Sequence, residues 1–424
     1  MTRTMPRSMT LEVRAWRLRG LVLLMAGAAS STMAQPTPPE TAEAQVERLA
    51  PGTLAFTESI AQRLRVPAGF EVKVFASGLK NVRMMDVGAD GTVYVTRRAQ
   101  NDVLALRDTD GDGRADDVRV AFSNLMGVHG VAVHQGALNL ISSRTLWRAA
   151  LPSGTPQALV SNMPDGGQHP NRMVRFGPDG GMYVSVGSSC NDCAEENQLE
   201  RGTLMRYEAD GTQRRVIAKG LRNTIGYDWQ PGNAALWGMD HGSDFRGDTV
   251  PPEELNLIME GRNYGWPICW GPRVVDPMTN AKPEMLALQP GQASPSGVPM
   301  TRAEYCALTE PSRLTIDAHS APMAMRFYAG ASFPREYRSD AFVALRGSWN
   351  RGNAVGYKVV RIVFDANGQP QRVEDFVTGF LDADGTSVYG RPVGIAFAAD
   401  GALLFSDDTN GAIYRVAPRA VQKR

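Results

Sequence analysis

The chain has 424 residues, which is long enough for two ordinary domains or for one large all-β domain. It carries 45 Lys and Arg against 44 Asp and Glu, so the net charge of +1 gives no electrostatic basis for binding nucleic acid. Hydrophobic residues make up 43% of the sequence, which is enough for a sizeable core and excludes a disordered chain despite 43 glycines and 27 prolines.

The first 34 residues have the pattern of a secretory signal peptide. Three arginines precede the apolar run LVLLMAGAASSTMA, which is too short to cross a bilayer comfortably and ends in small residues that fit cleavage after Ala34. An uncleaved membrane anchor is the alternative interpretation. Cleavage predicts a mature protein that is periplasmic or secreted and has no membrane span.

A hairpin pattern then recurs six times. Each copy has a short alternating apolar strand, a turn containing Gly, Asp or Asn, and a second strand that ends in small polar residues. The copies lie at 84–98, 130–144, 173–187, 225–240, 323–347 and 394–408. Most are followed by a third strand, and many are preceded by a strand that we interpret as the fourth of the same unit. The pattern predicts an all-β fold, a six-bladed β-propeller of four-stranded antiparallel blades. A β-sandwich would not repeat one strand order six times.

The repeats define the predicted domain organisation. Residues 1–34 form the signal peptide, 35–62 an N-terminal linker, 63–418 the propeller and 419–424 a C-terminal tail.

An acidic turn, DTDGDGRADD, follows the first hairpin at 108–117. Its first three aspartates alternate before a glycine, as in calcium loops of the D-x-D-x-D-G type. They are Asp108, Asp110 and Asp112. The glutamate that such loops carry at the twelfth position is missing, and Asp116 is the nearest substitute. The turn fits both a small structural calcium site and a solvated acidic turn.

The four cysteines suit an oxidising compartment and allow three disulfide pairings. We favour Cys190–Cys193, in SSCNDCAEE, together with Cys269–Cys306. A redox dithiol is disfavoured because the sequence around these cysteines does not predict a thioredoxin-like βαβ unit. A zinc site is disfavoured because it would need more soft ligands nearby in the sequence. Structural disulfides are the preferred interpretation.

Polar loops occupy the same position in each repeat, just before the first strand of the hairpin. They read LKNVR (79–83), LMGVHG (125–130), GGQHPNR (166–172), GLRN (220–223), DAHSAP (317–322) and VYGRP (388–392). In a propeller these loops lie on one face near the central channel, so closing the ring brings them together. The alternative interpretation is that these residues are polar only because surface loops generally are, without a shared site.

Such a ring of side chains suits an anionic small molecule. Guanidinium groups bind carboxylates bidentately, and a histidine beside them is a natural general base. Arg222, next to Asn223, would hold a developing oxyanion or a quinone oxygen. The chain has no G-x-G-x-x-G, P-loop or G-x-S-x-G motif, so nucleotide cofactors and serine hydrolysis lack support.

Several motifs together carry a family resemblance. They are H-P-N-R-M-V-R-F-G-P-D-G, G-L-R-N, P-P-E-E-L-N-L with N-Y-G-W-P, H-S-A-P, G-S-W-N-R and Y-G-R-P. From about VPAGFEV to its end, the chain resembles the soluble quinoprotein glucose/sorbosone dehydrogenases, and more closely the sorbosone-dehydrogenase-like branch. These are six-bladed propellers that bind pyrroloquinoline quinone and Ca²⁺. The resemblance implies oxidation of a sugar, with electrons passed to an external quinone or cytochrome.

The resemblance also implies roles for individual residues. His169 matches the histidine that takes the proton from the sugar hydroxyl while hydride passes to the quinone. Arg222 and Asn223 match the pair that contacts the reactive quinone oxygen, so these three residues are the predicted catalytic group. The residues predicted to bind the cofactor are Arg172, Arg222, Asn223, His319, Arg346, Arg351 and Arg391.

The chain departs from the family at two of these contacts. A lysine expected for a cofactor carboxylate is replaced within ALRGSWNRGN, which offers Arg351 or Arg346 instead. A glutamine expected in the second repeat is not evident, and His129 occupies a neighbouring position. The family holds its active-site calcium largely by backbone carbonyls after the fourth hairpin, and the nearest matches here are Gly242 and Ser243.

Two other classes of function remain open from the sequence. One is a calcium-dependent lactonase-like hydrolase, which would need a cage of carboxylates and amides at the axis where this chain places His and Arg. The other is a non-catalytic carbohydrate-binding propeller that has kept the fold and lost the cofactor.

Overall fold

The computed structural model describes residues 51–193, 200–283 and 300–419. They form six four-stranded antiparallel blades, and the third gains one short extra strand. Blade 1 comprises Val82–Val87, Val93–Arg97, Asp102–Arg107 and Asp117–Phe122. Blade 2 comprises Gly130–His134, Ala137–Ile141, Leu146–Ala150 and Gln157–Val160. Blade 3 comprises Val174–Phe176, Met182–Val186, Thr203–Tyr207, Arg215–Lys219 and the extra strand Arg262–Asn263. Blade 4 comprises Gly226–Trp229, Leu236–Asp240, Glu253–Leu257 and Leu314–Ile316. Blade 5 comprises Pro322–Phe327, Ala341–Leu345, Lys358–Phe364 and Pro370–Val377. Blade 6 comprises Pro392–Phe397, Leu403–Asp407, Ala412–Pro418 and Phe70–Ala76. The predicted six-bladed propeller is confirmed.

The ring is closed by pairing the two ends of the propeller. Phe70–Ala76 is the outer strand of blade 6 and lies antiparallel to Ala412–Pro418, the last strand of the chain. The ladder between these strands therefore joins the N-terminal and C-terminal parts of the fold and closes the ring within blade 6.

The first strand of each blade faces the centre, and glycines allow neighbouring inner strands to approach closely. Val82–Val87 lies between Pro392–Phe397 and Gly130–His134. A Cβ atom added to Gly394 would lie 2.3 Å from the carbonyl oxygen of Arg83, and one added to Gly226 would lie 2.2 Å from that of Met323. No other residue fits there without moving the backbone.

The predicted Asp-Gly turns form hairpins by one repeated arrangement. In blade 1, Gly91 has φ +82° and the Asp90 carboxylate accepts a hydrogen bond from the Thr92 amide. The same arrangement recurs at Gly180 in blade 3 and Gly401 in blade 6, with φ +75° and +84°. Glycine takes this left-handed conformation without steric cost, which is why these turns could be predicted from the sequence.

The predicted assignment of the fourth strands is wrong. Asp117–Phe122, for example, pairs with Asp102–Arg107 of the blade before it, not with the hairpin that follows. After the outer strand of each blade, the chain thus continues into the inner strand of the next blade. Blade 4 obtains its outer strand, Leu314–Ile316, only after a long insertion that follows Glu253–Leu257.

Short elements complete the described part of the chain. They are the helices Ile60–Arg63 and Arg302–Ala307, the 3₁₀ turn Arg335–Tyr337, and the strand pairs Gly52–Thr53 with Ser387–Val388 and Cys269–Trp270 with Val274–Val275. Part of the segment predicted as a linker, 35–62, therefore packs on the propeller, and Ile60 is buried. The signal-peptide prediction, 1–34, lies outside the described residues. Within these residues we find no helix with the length and apolar character needed to cross a membrane.

Candidate active site

A cavity of about 660 Å³ is lined by the loops that lead into the inner strands and by the loops that follow the second strands. This volume lies in the usual range for a small-molecule site. The cavity, called the cleft below, brings together six of the residues predicted from the sequence. They are His169, Arg222, Asn223, Gly242, His319 and Arg346.

His169 is largely buried in the wall of the cleft, and its tautomer follows from its hydrogen bond. Its Nδ1 lies 2.9 Å from the carbonyl oxygen of Ser188, which can only accept, so Nδ1 carries the proton. Nε2 therefore has a free lone pair. Burial, followed by the nearby positive charge of Arg222, lowers the pKa of His169 to about 3. The imidazole is neutral at physiological pH and able to accept a proton.

The G-L-R-N loop is held by a single buried carboxylate. Asp240 accepts hydrogen bonds of 2.8 Å from the backbone amides of Arg222 and Asn223 and from the Thr224 hydroxyl. The Asn223 side chain also contacts Nδ1 of His241, whose Nε2 donates to the carbonyl oxygen of Pro322. The backbone on which the two predicted catalytic residues stand is thus fixed by three bonds to one side chain.

In the Arg222 guanidinium, Nη1 is available to bind a ligand, because protein acceptors occupy Nε and Nη2. Nε and Nη2 donate to Asn191, and Nη2 also donates to Asp244 at 2.8 Å. Within the described part of the chain Nη1 has no hydrogen-bond partner, and Arg222 lines the cleft. A donor held in this way is pre-organised for an oxygen that carries or develops negative charge.

A second group of positive charges lines the cleft at blades 1 and 5, next to a carboxylate of blade 6. Asp408 forms ion pairs with both Arg83 and Arg346, and Arg98 lies in the same lining. Arg83 also contacts Nε2 of the buried His129 at 3.2 Å. Arg83 and Arg346 share one carboxylate, and Arg98 adds a third guanidinium group to the lining, so the group has positive charge left to bind an anion. The sequence prediction missed Arg83, although it lies in the predicted LKNVR loop.

Glu253 is a buried acid in the cleft wall that was also missed. Its carboxyl accepts hydrogen bonds of 3.0 Å from the backbone amides of Gly242 and Ala321. Burial raises its pKa to about 8. The P-P-E-E-L-N-L motif contains this residue, but nothing in the sequence showed that the side chain turns into the cleft.

The comparisons with known proteins agree with this fold. A family model described as TrAA12-like matches residues 64–419, well over half of the chain. The chain belongs to the TrAA12-like family.

Two relatives of this TrAA12-like chain are named for an activity. A pyrroloquinoline quinone-dependent sugar dehydrogenase of Hypocrea jecorina is 27% identical over 274 residues, covering 55% of this chain and 58% of that protein. A pyrroloquinoline quinone-dependent pyranose dehydrogenase of Coprinopsis cinerea is 23% identical over 412 residues, covering 83% of this chain and 54% of that protein. The chain thus spans little more than half the length of these two relatives.

A solved structure supports the same fold. The holo form of the pyranose dehydrogenase PQQ domain from Coprinopsis cinerea has a TM-score of 0.68 and 23% identity, covering 84% of this chain and 97% of that one. The predicted relationship to quinone-dependent sugar dehydrogenases is confirmed.

Three predicted cofactor ligands do not line the cleft of the TrAA12-like chain. Arg172 is fully buried, and its guanidinium donates to the backbone carbonyls of residues 143, 164 and 165. Arg351 donates to the Ala318 carbonyl, and Arg391 stacks over the ring of Tyr357. Cofactor binding by these arginines stays a prediction that the lining of the cleft does not support, because motif position does not fix the direction of a long side chain.

Two predicted metal ligands, Ser243 and Asp112, lie outside the groups that the other candidates form. Ser243 does not line the cleft, unlike its neighbour Gly242. In the acidic turn, oxygens of Asp108, Asp110 and Asp116 lie within 4.8 Å of one another. Asp112 is not in that group and instead accepts a hydrogen bond from the Arg114 amide. Asp116, the predicted substitute for the missing glutamate, lies in the group.

Both predicted disulfides are present in the TrAA12-like chain: Cys190–Cys193 and Cys269–Cys306. They close loops of very different size, with sequence separations of 3 and 37.

Loop size predicts unequal effects on stability. Closing the longer loop removes more entropy from the unfolded chain, about 4 kcal/mol against about 2 kcal/mol for the shorter one. The double variant Cys269→Ser/Cys306→Ser is therefore expected to lose more free energy of unfolding in urea titrations than Cys190→Ser/Cys193→Ser. Equal losses, or a larger loss for the shorter loop, would contradict this expectation.

Proposed function

We propose that this protein is an exported, periplasmic or secreted dehydrogenase that oxidises a sugar with pyrroloquinoline quinone as cofactor. The observation that carries the proposal is the pairing, in one cleft, of a neutral histidine with arginines that retain binding capacity. Nε2 of His169 keeps an unprotonated lone pair, and Nη1 of Arg222 has no hydrogen-bond partner among the described residues. A base and an anion-binding donor in one pocket are what oxidation of an alcohol by hydride transfer requires.

The residues of the cleft fit this cofactor. Pyrroloquinoline quinone is a planar tricarboxylate, and Arg83, Arg98 and Arg346 offer guanidinium groups for its carboxylates. Arg222 and Asn223 would hold the reactive oxygen at the other side of the cleft. The lactonase-like alternative is not favoured, because such an enzyme needs a cage of carboxylates and amides at the axis, where this chain places His169 and arginines.

Calcium is proposed as the second cofactor. Gly242 lines the cleft, so its carbonyl oxygen is the candidate ligand that the cleft geometry supports, and the carbonyl oxygen of Ser243 stays a candidate from the sequence alone. The carboxylate of Asp244 lies in the same lining and suits a hard cation that prefers oxygen. In the acidic turn, Asp108 and Asp110 with Asp116 form a separate candidate calcium site with a structural role.

The reaction would proceed by transfer of a hydride and a proton. When bound, the quinone would supply the hydride acceptor for the sugar carbon that carries the hydroxyl. Nε2 of His169 takes the hydroxyl proton, so the C–H and O–H bonds break and a C=O bond forms. Ser188 keeps the proton on Nδ1 and thereby holds His169 in the accepting tautomer. An external quinone or cytochrome would then reoxidise the cofactor.

The test is reconstitution of the purified mature protein with quinone and Ca²⁺, followed by dye reduction over a panel of aldoses. We expect turnover that requires the quinone, is lost on chelation and is restored by Ca²⁺. Absence of turnover with every sugar would favour the non-catalytic binding propeller.

The pH profile of kcat is expected to lack an acidic limb near pH 6.5. An ordinary histidine is half protonated at about pH 6.5, whereas the pKa of His169 is lowered to about 3. The base therefore remains unprotonated, and active, as the pH falls from about 7 to about 5. The measurement is kcat at saturating sugar across this range. A fall with a midpoint near pH 6.5 would contradict the assigned state of His169.

Arg346→Ala is expected to weaken cofactor binding. Loss of a charged hydrogen bond should raise the quinone concentration at half reconstitution by roughly 10- to 100-fold, because Asp408 then neutralises the remaining Arg83. The matched control is Arg372→Ala, at an exposed arginine of the same blade. Unchanged half-saturation in Arg346→Ala would remove this residue from the proposed binding site.

A further inference from the structure

The loop 188–193 lies between the two proposed catalytic side chains and contacts both. Asn191 is the centre of this contact. Its backbone oxygen accepts from Nε of Arg222 at 2.8 Å and from Nε1 of Trp266 at 3.2 Å. Its Oδ1 accepts from Nη2 of Arg222 at 2.9 Å and from the Asp244 amide at 2.7 Å, while its Nδ2 donates to the Asp244 carbonyl. One residue thus supplies two of the three acceptors that hold the Arg222 guanidinium.

The other end of the same loop holds His169. The Ser188 carbonyl accepts from Nδ1 of His169, and the Ser188 amide donates to the Arg222 carbonyl at 2.8 Å. The amide of Gln168, the residue before His169, donates to the Ser189 carbonyl at 2.8 Å. The base and the anion-binding donor are therefore both held by hydrogen bonds to one short segment of backbone.

Covalent and ionic contacts keep this segment in place. The Cys190–Cys193 disulfide closes the loop around Asn191 and Asp192. Asp192 forms an ion pair with Arg246, whose side chain is about 1% exposed and also pairs with Asp276 at 3.0 Å. Asp276 belongs to the insertion of blade 4, so the loop is tied on its far side to a second part of the fold.

We propose that the disulfide-closed loop 188–193 positions Arg222 and His169 for the reaction, with Asn191 as the positioning residue for Arg222. This inference rests on the proposed function. Because Asn191 takes Nε and Nη2 of Arg222, Nη1 is the nitrogen left facing the cleft. Opening the disulfide allows the backbone oxygen of Asn191 and the carbonyl of Ser188 to move. Both proposed catalytic side chains then lose the acceptors that fix their positions.

The kinetic test compares Asn191→Ala with Asn191→Asp in the reconstituted enzyme. Alanine removes Oδ1, whereas aspartate keeps an acceptor there. We expect kcat to fall by about 10- to 100-fold in Asn191→Ala, the usual scale for a misplaced catalytic group, with KM for the sugar nearly unchanged. Asn191→Asp should recover most of the loss. Equal kcat values for the parent and Asn191→Ala would overturn the role of Asn191.

A second readout does not depend on activity. In ¹⁵N-labelled protein without cofactor, the Nε–H signal of Arg222, identified by its loss in Arg222→Ala, should exchange slowly with solvent because Asn191 accepts from it. We expect much faster exchange in Cys190→Ser/Cys193→Ser and parental exchange in the control, Cys269→Ser/Cys306→Ser. Parental exchange in both double variants would overturn the role of the disulfide.

The two readouts separate this inference from the proposed function. A parent protein without quinone-dependent turnover would contradict the proposed function, and the exchange measurement would still decide whether the loop holds Arg222. If the Cys190→Ser/Cys193→Ser variant fails to fold, mild reduction of the Cys269→Ser/Cys306→Ser variant, whose remaining disulfide is Cys190–Cys193, provides the same exchange comparison.

Discussion

Replacement of His169 by alanine is expected to lower kcat by roughly 10²- to 10⁴-fold, the usual cost of a lost general base. The hydroxyl proton of the sugar must leave as the hydride departs, and Nε2 of His169 carries the free lone pair in the cleft. The quinone concentration needed for half reconstitution should change little, because the imidazole binds no cofactor carboxylate in the proposed arrangement. Steady-state kinetics of the reconstituted variant measures both quantities.

The matched control is His134→Ala, which removes an imidazole outside the cleft. His134 stacks on the ring of Phe176, with ring centroids 3.8 Å apart, and does not line the cavity. This variant is expected to lose some stability and to keep parental kcat. Near-parental kcat in His169→Ala would mean that the base lies elsewhere, and His319 would be the next residue to replace, since it lines the same cleft.

Arg222→Ala is expected to lower kcat by about 10²- to 10³-fold, the scale seen when one oxyanion-stabilising donor is removed. Its Nη1 is the donor left free for the oxygen on which charge develops. Arg222→Lys should recover only part of the loss, because an ammonium group cannot bond Asn191 and Asp244 and still reach a ligand in the same geometry. Single-turnover kinetics with saturating quinone separates this effect from weaker cofactor binding.

The control for Arg222 is Arg215→Ala, at a half-exposed arginine of blade 3 that pairs with Glu260. Exposed ion pairs contribute little to stability, so this variant should behave like the parent. If Arg222→Ala instead raised the quinone requirement and left kcat unchanged at saturation, Arg222 would be a binding residue without a role in the chemical step.

The fold could be predicted because its signals are local. Asp-Gly turns, strands of period two and the recurrence of one hairpin are all visible within about 15 residues of sequence. The blade to which each outer strand belongs was not visible, since Asp117–Phe122 is a strand in either assignment and only its ladder with Asp102–Arg107 decides. The outer strand of blade 4 was missed because a long insertion separates it from its partner Glu253–Leu257.

The site could be predicted only where position along the backbone determines the role. His169, Arg222 and Asn223 stand at the entry to inner strands, and ring closure brings these entries to the cleft. Arg172 stands in the same loop as His169, yet its side chain turns inward to three backbone carbonyls. The direction of a long side chain depends on packing, which repeat position does not encode.

Asn191 was missed for a different reason. It lies inside the C-x-x-C segment, where the cysteines drew attention to the disulfide, and its importance comes from six contacts with distant residues. Glu253 is similar, because its raised pKa results from burial that only the assembled fold creates. Long-range contacts of this kind leave no local pattern in the sequence.

The most direct test of the central claim is a single turnover without an external electron acceptor. Protein reconstituted with pyrroloquinoline quinone and Ca²⁺ is mixed anaerobically with sugar, and the absorbance of the quinone is followed together with the oxidised sugar. The proposed function predicts that one equivalent of quinone is reduced per equivalent of sugar oxidised, and that His169→Ala slows this step while still binding the quinone. Protein that binds the quinone but reduces none of it with any sugar in the panel would contradict the proposal.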